Sequence, residues 1–372
     1  MKAVYTQKRG KKIRGVNLGG WLVLEKWMTP SLFAGIQGED ETAWCLAKGA
    51  VAEKQLQEHW QTFIQRHDFA WLAKIGINAV RIPIPYWLFG PDYPYHPSFG
   101  DTRYPYVTGG LSILDKAFDW AEELGLLIVL DLHTAPGCQN GFDNGGLKDI
   151  CEWHTQQNYQ DYALTVLERL AERYQHRPAL QGIEVLNEPR WDIPTDILLA
   201  YTQAAYQRIR QYCTAEQVAV VFHDGFRPYH EYNPLLAANY DNLVFDIHRY
   251  QCFVQEDVDT DVHGHLIKAA QDWRLEADDI ISHANCWTYV GEWSLGLNPK
   301  MLDLWQQAPQ QPKASSMDAF QQALTYRAYA AAQLLSFEKY LGWFFWSYKT
   351  ENMLHWSFRD CVASGWLPER FD

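Results

Sequence analysis

The sequence lacks long apolar runs, an excess of positive charge and any closely paired cysteines. No segment of its 372 residues approaches 18 consecutive apolar residues, so nothing in it predicts a membrane-spanning helix. The 32 Lys and Arg residues are outnumbered by 45 Asp and Glu residues, which argues against a nucleic-acid-binding protein because such proteins need a basic face. The seven cysteines form no C-x-x-C pair, which excludes zinc-ribbon and dithiol redox motifs.

Several catalytic motifs are also missing. Neither G-x-G-x-x-G nor G-x-x-x-x-G-K-[ST] occurs, so no phosphate-binding turn is predicted. H-E-x-x-H does not occur, and the H-G-H of His263 and His265 is predicted to lie in a polar surface loop rather than to bind a metal. G-x-S-x-G does not occur, and Ser294 lacks the strand-to-helix turn of serine hydrolases. We therefore expect neither a metal nor another cofactor.

The N-terminal segment and the cysteines bear on location. MKAVYTQKRGKKIRGV begins with basic residues but has no apolar h-region, so no signal peptide is predicted. An odd number of scattered cysteines fits free thiols in a reducing, cytoplasmic location. With 47% hydrophobic and only 21% charged residues, the chain is predicted to fold, and we expect residues 1–372 to form a single domain.

Aromatic residues are unusually abundant. The chain has 17 Trp, 21 Tyr and 17 Phe, together 15% of its residues. This composition leaves two interpretations open, a large core with aromatic ridges or a site that stacks against the flat, apolar faces of sugars.

Short strand-like runs alternate with helical patterns along the whole chain. Eight such strands predict an α/β protein with a single (β/α)8 TIM barrel, because eight parallel strands close a barrel and no phosphate-binding turn favours an open sheet. The predicted strands are 14–21, 79–84, 126–133, 182–189, 218–224, 243–250, 289–295 and 342–348. The predicted helices are 51–65, 68–75, 111–124, 156–175, 195–213, 265–282 and 317–337.

Polar side chains that could do chemistry fall on these strands or near their ends. In a β/α barrel the carboxyl ends of the strands form one mouth, where active sites lie. The candidates are Arg81, His133, Asn187, Glu188, His248, Tyr250, Glu292 and Trp346. Each could be an ordinary ion-pair or hydrogen-bond partner taken alone, but residues from six strands near one rim favour a site.

The segment containing Asn187 and Glu188 requires a local irregularity. Ideal strand geometry sends these neighbours to opposite sides of the sheet. The strand therefore has to curl or bulge for both side chains to reach one site. Glu184 shares the parity of Glu188, and we expect it inside the barrel in an ion pair.

Two carboxylates across a barrel mouth are the minimum for glycoside hydrolysis. One protonates the leaving oxygen, and the other attacks the anomeric carbon or activates water. Arg81 is expected to keep Glu292 ionised. The negative charge of Glu292 is then expected to raise the pKa of Glu188 and keep it an acid.

The sequence also resembles a known family. The segments that carry the resemblance, in chain order, are RGVNLGGWLVLE, NAVRIPIPYW, DLHTAPGCQNGFDNGG, LNEP, DIHRYQCF, YVGEWSLG and WFFWSYKTEN. They resemble glycoside hydrolase family 5, and within it the fungal-type exo-β-1,3-glucanase group. This set covers essentially the whole chain in order, so it is far more specific than N-E-P alone.

The resemblance implies a role for each candidate residue. Glu188 would be the general acid/base and Glu292 the nucleophile of a retaining enzyme, with carboxyls about 5–5.5 Å apart. Asn187 would hold the sugar 2-OH, within a hydrogen-bond network of Arg81, His133, His248 and Tyr250. The implied substrate-binding residues are Trp346 beneath the released (−1) sugar, Glu25 at its hydroxyls, Trp27 two residues further along the chain, Asp143 closing the pocket for exo action, and Phe142 and Phe253 clamping the first leaving (+1) sugar.

Departures from the group leave the substrate open. Lys26 places a cation near the pocket wall, and Arg249 and Cys252 replace the usual residues beside Tyr250. The expected partner is a β-glucan oligosaccharide or a β-glucoside, with glucose released from non-reducing ends of β-1,3-glucans. A β-1,6-glucanase, a general β-glucosidase and a glycolipid glucosidase remain alternatives, as does a catalytically silent sugar-binding barrel.

Overall fold

Eight parallel strands close into a barrel, which confirms the predicted (β/α)8 fold. The computed structural model describes residues 12–238, 240–297 and 319–371. Each strand pairs with the next and β8 pairs with β1. The strands are β1 Ile13–Asn17, β2 Ala79–Ile84, β3 Leu127–Leu132, β4 Leu180–Glu184, β5 Ala219–His223, β6 Leu243–Gln251, β7 Trp287–Leu297 and β8 Gly342–Phe345.

Helices cover the outside of the barrel. In the described residues the α-helices are α1 Glu41–Lys48, α2 Ala52–Thr62, α3 Arg66–Lys74, α4 Leu111–Leu124, α5 Gln157–Tyr174, α6 Thr195–Ile209, α7 Asn233–Leu236, α8 Gln255–Asp259, α9 Val262–Ile267, α10 Trp273–His283, α11 Ala319–Phe337 and α12 Phe358–Ala363. A π-helical turn, Lys268–Asp272, joins α9 to α10. Short 3-10 turns lie at Gly49–Val51, Pro97–Phe99, Asp143–Gly145, Trp153–Thr155, Tyr229–Tyr232 and Leu354–Trp356.

The local sequence explains why these elements form. The β2 sequence AVRIPI is buried throughout, as expected for a parallel strand covered on both faces. Helix α4 presents Leu114, Phe118 and Ala121 to the core, and it ends where Gly125 adopts a left-handed conformation with φ 72°. The predicted bounds of α4 are confirmed. Residues 317 and 318 of the last predicted helix lie outside the described residues.

Several predicted boundaries are wrong. Predicted strands 14–21, 182–189 and 342–348 end at residues 17, 184 and 345, because the chain leaves the sheet at the barrel mouth to bring side chains inward. The polar loop predicted around His263 and His265 is helix α9. His265 is buried there and its Nδ1 lies 2.8 Å from Gln251 Oε1, so it is not a surface residue.

The core has two layers that meet at the barrel wall. The larger layer lies between the strands and the helices, and a smaller apolar cluster fills one end of the barrel interior. Ala79, Val129 and Phe344 belong to this inner cluster. Gly15 is required beside it, because a Cβ there would lie 2.2 Å from the Phe344 ring. Charged residues therefore occupy only the other end of the interior.

No helix in the described part of the chain has the length and apolar character needed to cross a bilayer. No disulfide bond joins the cysteines of the described residues.

Candidate active site

A break in strand register brings Glu292 opposite His248. Ile247 pairs with Val290, but the next residue, His248, pairs with Glu292, so Gly291 is the extra residue of a β-bulge. Only glycine fits at the bulge, because a Cβ on Gly291 would lie 2.0 Å from an oxygen of Asp246. The bulge aims the Glu292 carboxylate into the mouth of the barrel.

A turn after β4 brings in the second carboxylate. The strand ends at Glu184, and the Asn187 N–H donates to the Leu132 carbonyl at 2.9 Å. Glu188 has φ 43°, a left-handed conformation that is rare outside glycine and common at functional sites. The predicted irregularity is confirmed, because Asn187 and Glu188 both reach the same network.

Arg81 is the cation at the centre of this network. Its guanidinium is fully buried and lies 2.7 Å from Glu184 and 3.0 Å from Glu292. The same guanidinium donates to Asn187 Oδ1 at 2.9 Å, so the Asn187 Nδ2 does not contact Arg81 through this bond. The predicted ion pair of Glu184 and the predicted proximity of Arg81 to Glu292 are confirmed.

His248 bridges the two carboxylates. Its Nδ1 lies 2.8 Å from Glu188 Oε1 and 3.4 Å from Glu292 Oε2. The two oxygens can be no further apart than the sum of those distances. This upper limit on one pair of oxygens is compatible with the roughly 5–5.5 Å that separates the carboxyl groups of retaining glycosidases.

The charges around His248 reverse the predicted order of the carboxyl pKa values. Burial lowers the pKa of His248, but the negative charge of Glu292 and hydrogen bonds to Asp246 and Glu188 outweigh it and raise the pKa well above its ordinary value. Burial raises the pKa of Glu188, but the hydrogen bond and charge of His248 outweigh burial and lower it. The prediction that Glu292 raises the pKa of Glu188 is therefore wrong for the free protein, in which His248 lowers it.

The pKa of Glu292 moves the other way. Burial raises this pKa, and the charges of His248 and Arg81 only partly oppose the rise. Arg81 thus favours the ionised form, as predicted, without lowering the pKa overall. Tyr250 adds a hydrogen bond, its hydroxyl donating to Glu292 Oε2 at 2.8 Å.

Glu25, Trp27 and Asp143 form one side of the pocket. The Trp27 indole N–H donates to Glu25 Oε2 at 2.8 Å. Burial, followed by the nearby charge of Asp143, raises the pKa of Glu25 well above its ordinary value. Burial also raises the pKa of Asp143. The three residues predicted to bind the terminal sugar are thus brought together.

Apart from His248 Nε2, which lies 3.6 Å from Asp246 Oδ2, three buried polar atoms of the predicted site residues have no hydrogen-bond partner among the described residues. They are Glu25 Oε1, His133 Nε2 and Asn187 Nδ2. Buried polar atoms are normally paired, and an unpaired one costs about 1–3 kcal/mol. Two groups that can accept a hydrogen bond and one that donates are what a sugar hydroxyl cluster requires.

Aromatic rings line the rest of the mouth. Trp346 stacks on His133, with ring centroids 5.4 Å apart and planes 6° apart. Phe253 is 72% exposed and meets Tyr250 edge to face at 5.4 Å. Phe142 lies on a different loop, beside Trp191 at 6.4 Å. The two predicted clamp residues, Phe142 and Phe253, thus lie on different loops, and each lies beside another aromatic ring.

Sequence reasoning missed several residues of the site. Asn144 donates to Glu188 Oε2 at 3.0 Å, and Gln139 donates to the carbonyls of His133 and Asn187, tying two loops together. Trp356 packs against Tyr250 and Trp27. Gln139 and Asn144 stand in the segment QNGFDNGG, whose dense amides after a predicted strand were the available signal.

The three departures from the glucanase group are Lys26, Arg249 and Cys252. Lys26 and Arg249 bond groups other than the two catalytic carboxylates, and Cys252 is neutral. Lys26 Nζ donates to the Gly38 carbonyl at 3.1 Å. Arg249 pairs with Glu276 on α10 at 2.7 Å and with Asp224 at 3.2 Å. Burial raises the pKa of the Cys252 thiol to about 12, so it stays neutral.

Two sets of side chains are close enough to share an ion. Glu188, His223 and His248 form one set, and Glu184, Asp246 and His248 form the other. His248 Nδ1 bonds Glu188 and Arg81 bonds one oxygen of Glu184, whereas the other Glu184 oxygen and the Nε2 atoms of both histidines have no hydrogen-bond partner among the described residues. Both sets include His248, so they belong to the carboxylate network already described.

The site contains two buried carboxylates at the mouth of a β/α barrel. An arginine and a tyrosine hold one of them, and a histidine and an asparagine hold the other. This arrangement defines a glycoside hydrolase of the two-carboxylate class. Comparison with known proteins gives the particular family. The family model described as Cellulase (glycosyl hydrolase family 5) matches residues 45–352. The chain belongs to glycosyl hydrolase family 5.

Relatives and solved structures agree with this assignment. Glucan 1,3-beta-glucosidase 2 of Wickerhamomyces anomalus is 35% identical, and the match covers 98% of this chain and 89% of that protein. Glucan 1,3-beta-glucosidase I/II of Saccharomyces cerevisiae is 33% identical, with 97% and 86% covered. Rutinosidase from Aspergillus niger shares the fold with a TM-score of 0.77 at 21% identity, over 97% of this chain and 99% of that one.

Proposed function

We propose that this protein is a retaining exo-glycosidase that releases glucose from the non-reducing ends of β-1,3-glucan oligosaccharides. The observation that supports the proposal most directly is that Glu188 and Glu292 contact the same nitrogen of His248, at 2.8 and 3.4 Å. Two carboxylates this close are compatible with a direct bond from Glu292 to the anomeric carbon, as retaining enzymes form.

The reaction proceeds in two displacements. Glu292 attacks the anomeric carbon, the bond to the leaving oxygen breaks, and the proton shared by Glu188 and His248 passes through Glu188 to that oxygen. A glucosyl ester on Glu292 results. Water then attacks the anomeric carbon, Glu188 accepts its proton, and the ester bond to Glu292 breaks. Glucose leaves as the β-anomer.

The side chains around the carboxylates support each step. Asn187 Nδ2 is free to donate to the sugar 2-OH, a contact that strengthens in the transition state. Arg81 and Tyr250 hold Glu292 through bonds of 3.0 and 2.8 Å, which orients its attacking oxygen. These bonds cost no reorganisation during reaction because they exist in the free protein.

Release of glucose from a chain end is supported by the closed side of the pocket. Glu25 is buried with one oxygen unpaired, and the nearby charge of Asp143 raises its pKa. Hydroxyls of a terminal sugar would satisfy that oxygen, whereas a continuing chain would have to displace the wall. The β-1,3 linkage is supported by the names of the relatives, which are 33–35% identical over nearly the whole chain.

The test is incubation with laminari-oligosaccharides, with products followed by chromatography and anomeric configuration followed by NMR. We expect glucose as the first product, initially as the β-anomer. Release of laminaribiose or longer products first would overturn exo action. The α-anomer as first product would overturn the double displacement. Cleavage of an aryl β-glucoside without cleavage of laminari-oligosaccharides would keep the mechanism and reject the β-1,3 substrate.

A further inference from the structure

One bulky aromatic ring near the site is left largely exposed. Trp191 is 57% exposed and lies only three residues after Glu188. Exposed apolar side chains that extend an existing site often mark a binding surface. No contact described above for the catalytic carboxylates uses this ring.

Its position places it on the leaving-group side. Glu188 delivers the proton to the leaving oxygen, so groups that surround Glu188 face the part of the substrate that departs. Asn144 bonds Glu188, and Phe142 lies two residues before it on the same loop. The Phe142 and Trp191 rings have centroids 6.4 Å apart and planes inclined by 35°, so together they form a stepped apolar surface.

The backbone under Trp191 is fixed. The Arg190 N–H donates to the Gln139 carbonyl at 3.0 Å, which ties this loop to the loop that carries Phe142. Arg190 also makes a two-pronged ion pair with Asp192, at 2.6 and 3.0 Å. The Arg227 guanidinium donates to the Trp191 carbonyl. With the backbone held in this way, only the two side-chain torsions of Trp191 remain to be ordered when a ligand stacks on its ring.

We propose that Trp191 is the platform of a second leaving-group subsite, +2, which stacks on the apolar face of the glucosyl unit that follows the one beside Phe142. The inference rests on the proposed exo-glycosidase function and adds a preference for substrates of three or more sugars. The occupant is a glucosyl residue because its C–H face matches the indole while its hydroxyls remain in water on the exposed side.

The test compares a trisaccharide with a disaccharide of the same linkage. A disaccharide fills −1 and +1, and a trisaccharide also fills +2. In Trp191→Ala we expect kcat/KM for laminaritriose to fall about three- to tenfold, the range of one aromatic contact, while kcat/KM for laminaribiose changes less than about twofold. Trp191→Phe should retain part of the preference.

Two further variants serve as controls. Phe142→Ala should lower kcat/KM for both sugars by a similar factor, because both fill +1. Phe320→Ala removes a 70% exposed ring on α11 and should change neither rate. An unchanged ratio of triose to biose in Trp191→Ala, or an equal loss on both sugars, would overturn the subsite.

The same measurement is repeated with the β-1,6 and β-1,4 disaccharide and trisaccharide pairs. If the wild-type protein cleaves the β-1,6 or the β-1,4 pair but not the β-1,3 pair, the β-1,3 substrate is rejected. The ratio of trisaccharide to disaccharide kcat/KM in the pair that is cleaved still decides the role of Trp191. A wild-type protein that cleaves none of the three pairs rejects both the proposed function and the subsite.

Discussion

At the scale of single residues, the site depends on one imidazole between two carboxylates. His248 contacts Glu188 at 2.8 Å and Glu292 at 3.4 Å, and its positive charge lowers the pKa of both carboxyls. A second ring, His223, lies 4.2 Å from His248 and is held neutral, because burial, then the charges of His248 and Arg81, lower its pKa well below the ordinary value. The pKa directions thus favour a charged His248 beside a neutral His223.

Replacing His248 should move the acidic limb of the pH profile. The charge of His248 affects Glu292 more than the opposing charge of Glu188, so its removal raises the pKa of Glu292. Glu292 must be ionised to attack. In His248→Asn we therefore expect the acidic limb of kcat/KM to shift to higher pH, with lower kcat. His230→Asn, at an exposed position, is the control; an unmoved or lowered acidic limb in His248→Asn would contradict the assignment.

Azide should distinguish the roles of the two carboxylates. In Glu292→Gly the turnover of an activated aryl β-glucoside should fall at least about 10³-fold, because no covalent intermediate forms. Azide then occupies the space of Glu292, displaces the aryl group directly and gives the α-glucosyl azide. In Glu188→Gly the intermediate still forms, and azide attacks it from the opposite face to give the β-glucosyl azide.

NMR of the azide products shows whether each variant forms the α- or the β-glucosyl azide. Glu123→Gln, in a surface pair with Arg66, is the control and should retain full turnover with no azide product. The reverse pattern of anomers would exchange the roles of Glu188 and Glu292, and an unimpaired Glu292→Gly would remove Glu292 from the mechanism.

The residue types of the site were predictable, but the position of the proton was not. Two carboxylates and an arginine near strand ends are visible in the sequence, and the resemblance to the family names their roles. The raised pKa of His248 depends on the charge of Glu292 and on hydrogen bonds with Asp246 and Glu188 converging on one buried ring. Sequence spacing cannot show that these three carboxylates meet at His248.

At the scale of elements, loops held by short helices complete the pocket. The N-cap of α1, Asp40, accepts from the Ala43 N–H at 2.8 Å with one oxygen. Its other oxygen accepts from the Lys148 N–H at 2.9 Å. Glu41, in the first turn of α1, accepts from the Leu24 N–H next to Glu25. Helix α1 therefore fixes both the Glu25 segment and the loop that carries Asp143.

Helix α1 was missed in the sequence. It has only eight residues, too few for a clear helical period, and its stability comes from the cap and the contacts of its buried residues. By contrast, the long periodic helix α4 was predicted to the residue. The bulge at Gly291 was missed for a similar reason, since it is set by the pairing with β6 and not by the sequence GEW alone.

Removing the cap should loosen the pocket loop as well as the helix. Asp40→Ala deletes two hydrogen bonds to backbone N–H groups, and we expect the free energy of unfolding to fall by about 1–2 kcal/mol. Because Lys148 ends the loop that carries Asp143 and Asn144, kcat/KM on an aryl β-glucoside should also fall. Urea unfolding and steady-state kinetics measure the two effects.

A matched substitution separates the cap from the loop anchor. Asp40→Asn retains one acceptor oxygen and should lose about half as much stability. If Asp40→Ala loses stability without any loss of activity, the loop does not depend on the Lys148 contact. If it loses neither, α1 is held by packing alone.

At the scale of the whole molecule, the barrel encloses charge at one end and apolar side chains at the other. The fold follows from the sequence because eight apolar strand runs alternate with helices, and eight parallel strands close a barrel. The charged end runs against that pattern. Arg81 on β2 is fully buried and contacts carboxylates from β3, β4 and β7, so it joins strands from opposite sides of the barrel.

Removing this cation should destabilise the entire barrel. Arg81→Met leaves the Asp131, Glu184 and Glu292 carboxylates without their buried partner, and we expect the free energy of unfolding to fall by about 3–5 kcal/mol near neutral pH. The midpoint of urea unfolding measures the loss. Arg66→Met, which breaks only a surface pair with Glu123, should shift the midpoint far less.

The pH dependence of that loss identifies its cause. The charge of Arg81 lowers the pKa of Glu184 and of Glu292 against the rise caused by burial, so both pKa values rise further in Arg81→Met. A folded-state pKa raised above the unfolded value means that the folded protein binds protons more tightly, and stability then falls as pH rises. Arg81→Met should therefore be more destabilised at pH 8 than at pH 5. Adding Glu184→Gln removes one unpaired charge and should restore part of the pH 8 loss. An equal loss at both pH values, with no rescue, would show that Arg81 stabilises the barrel through its packing and not through its charge.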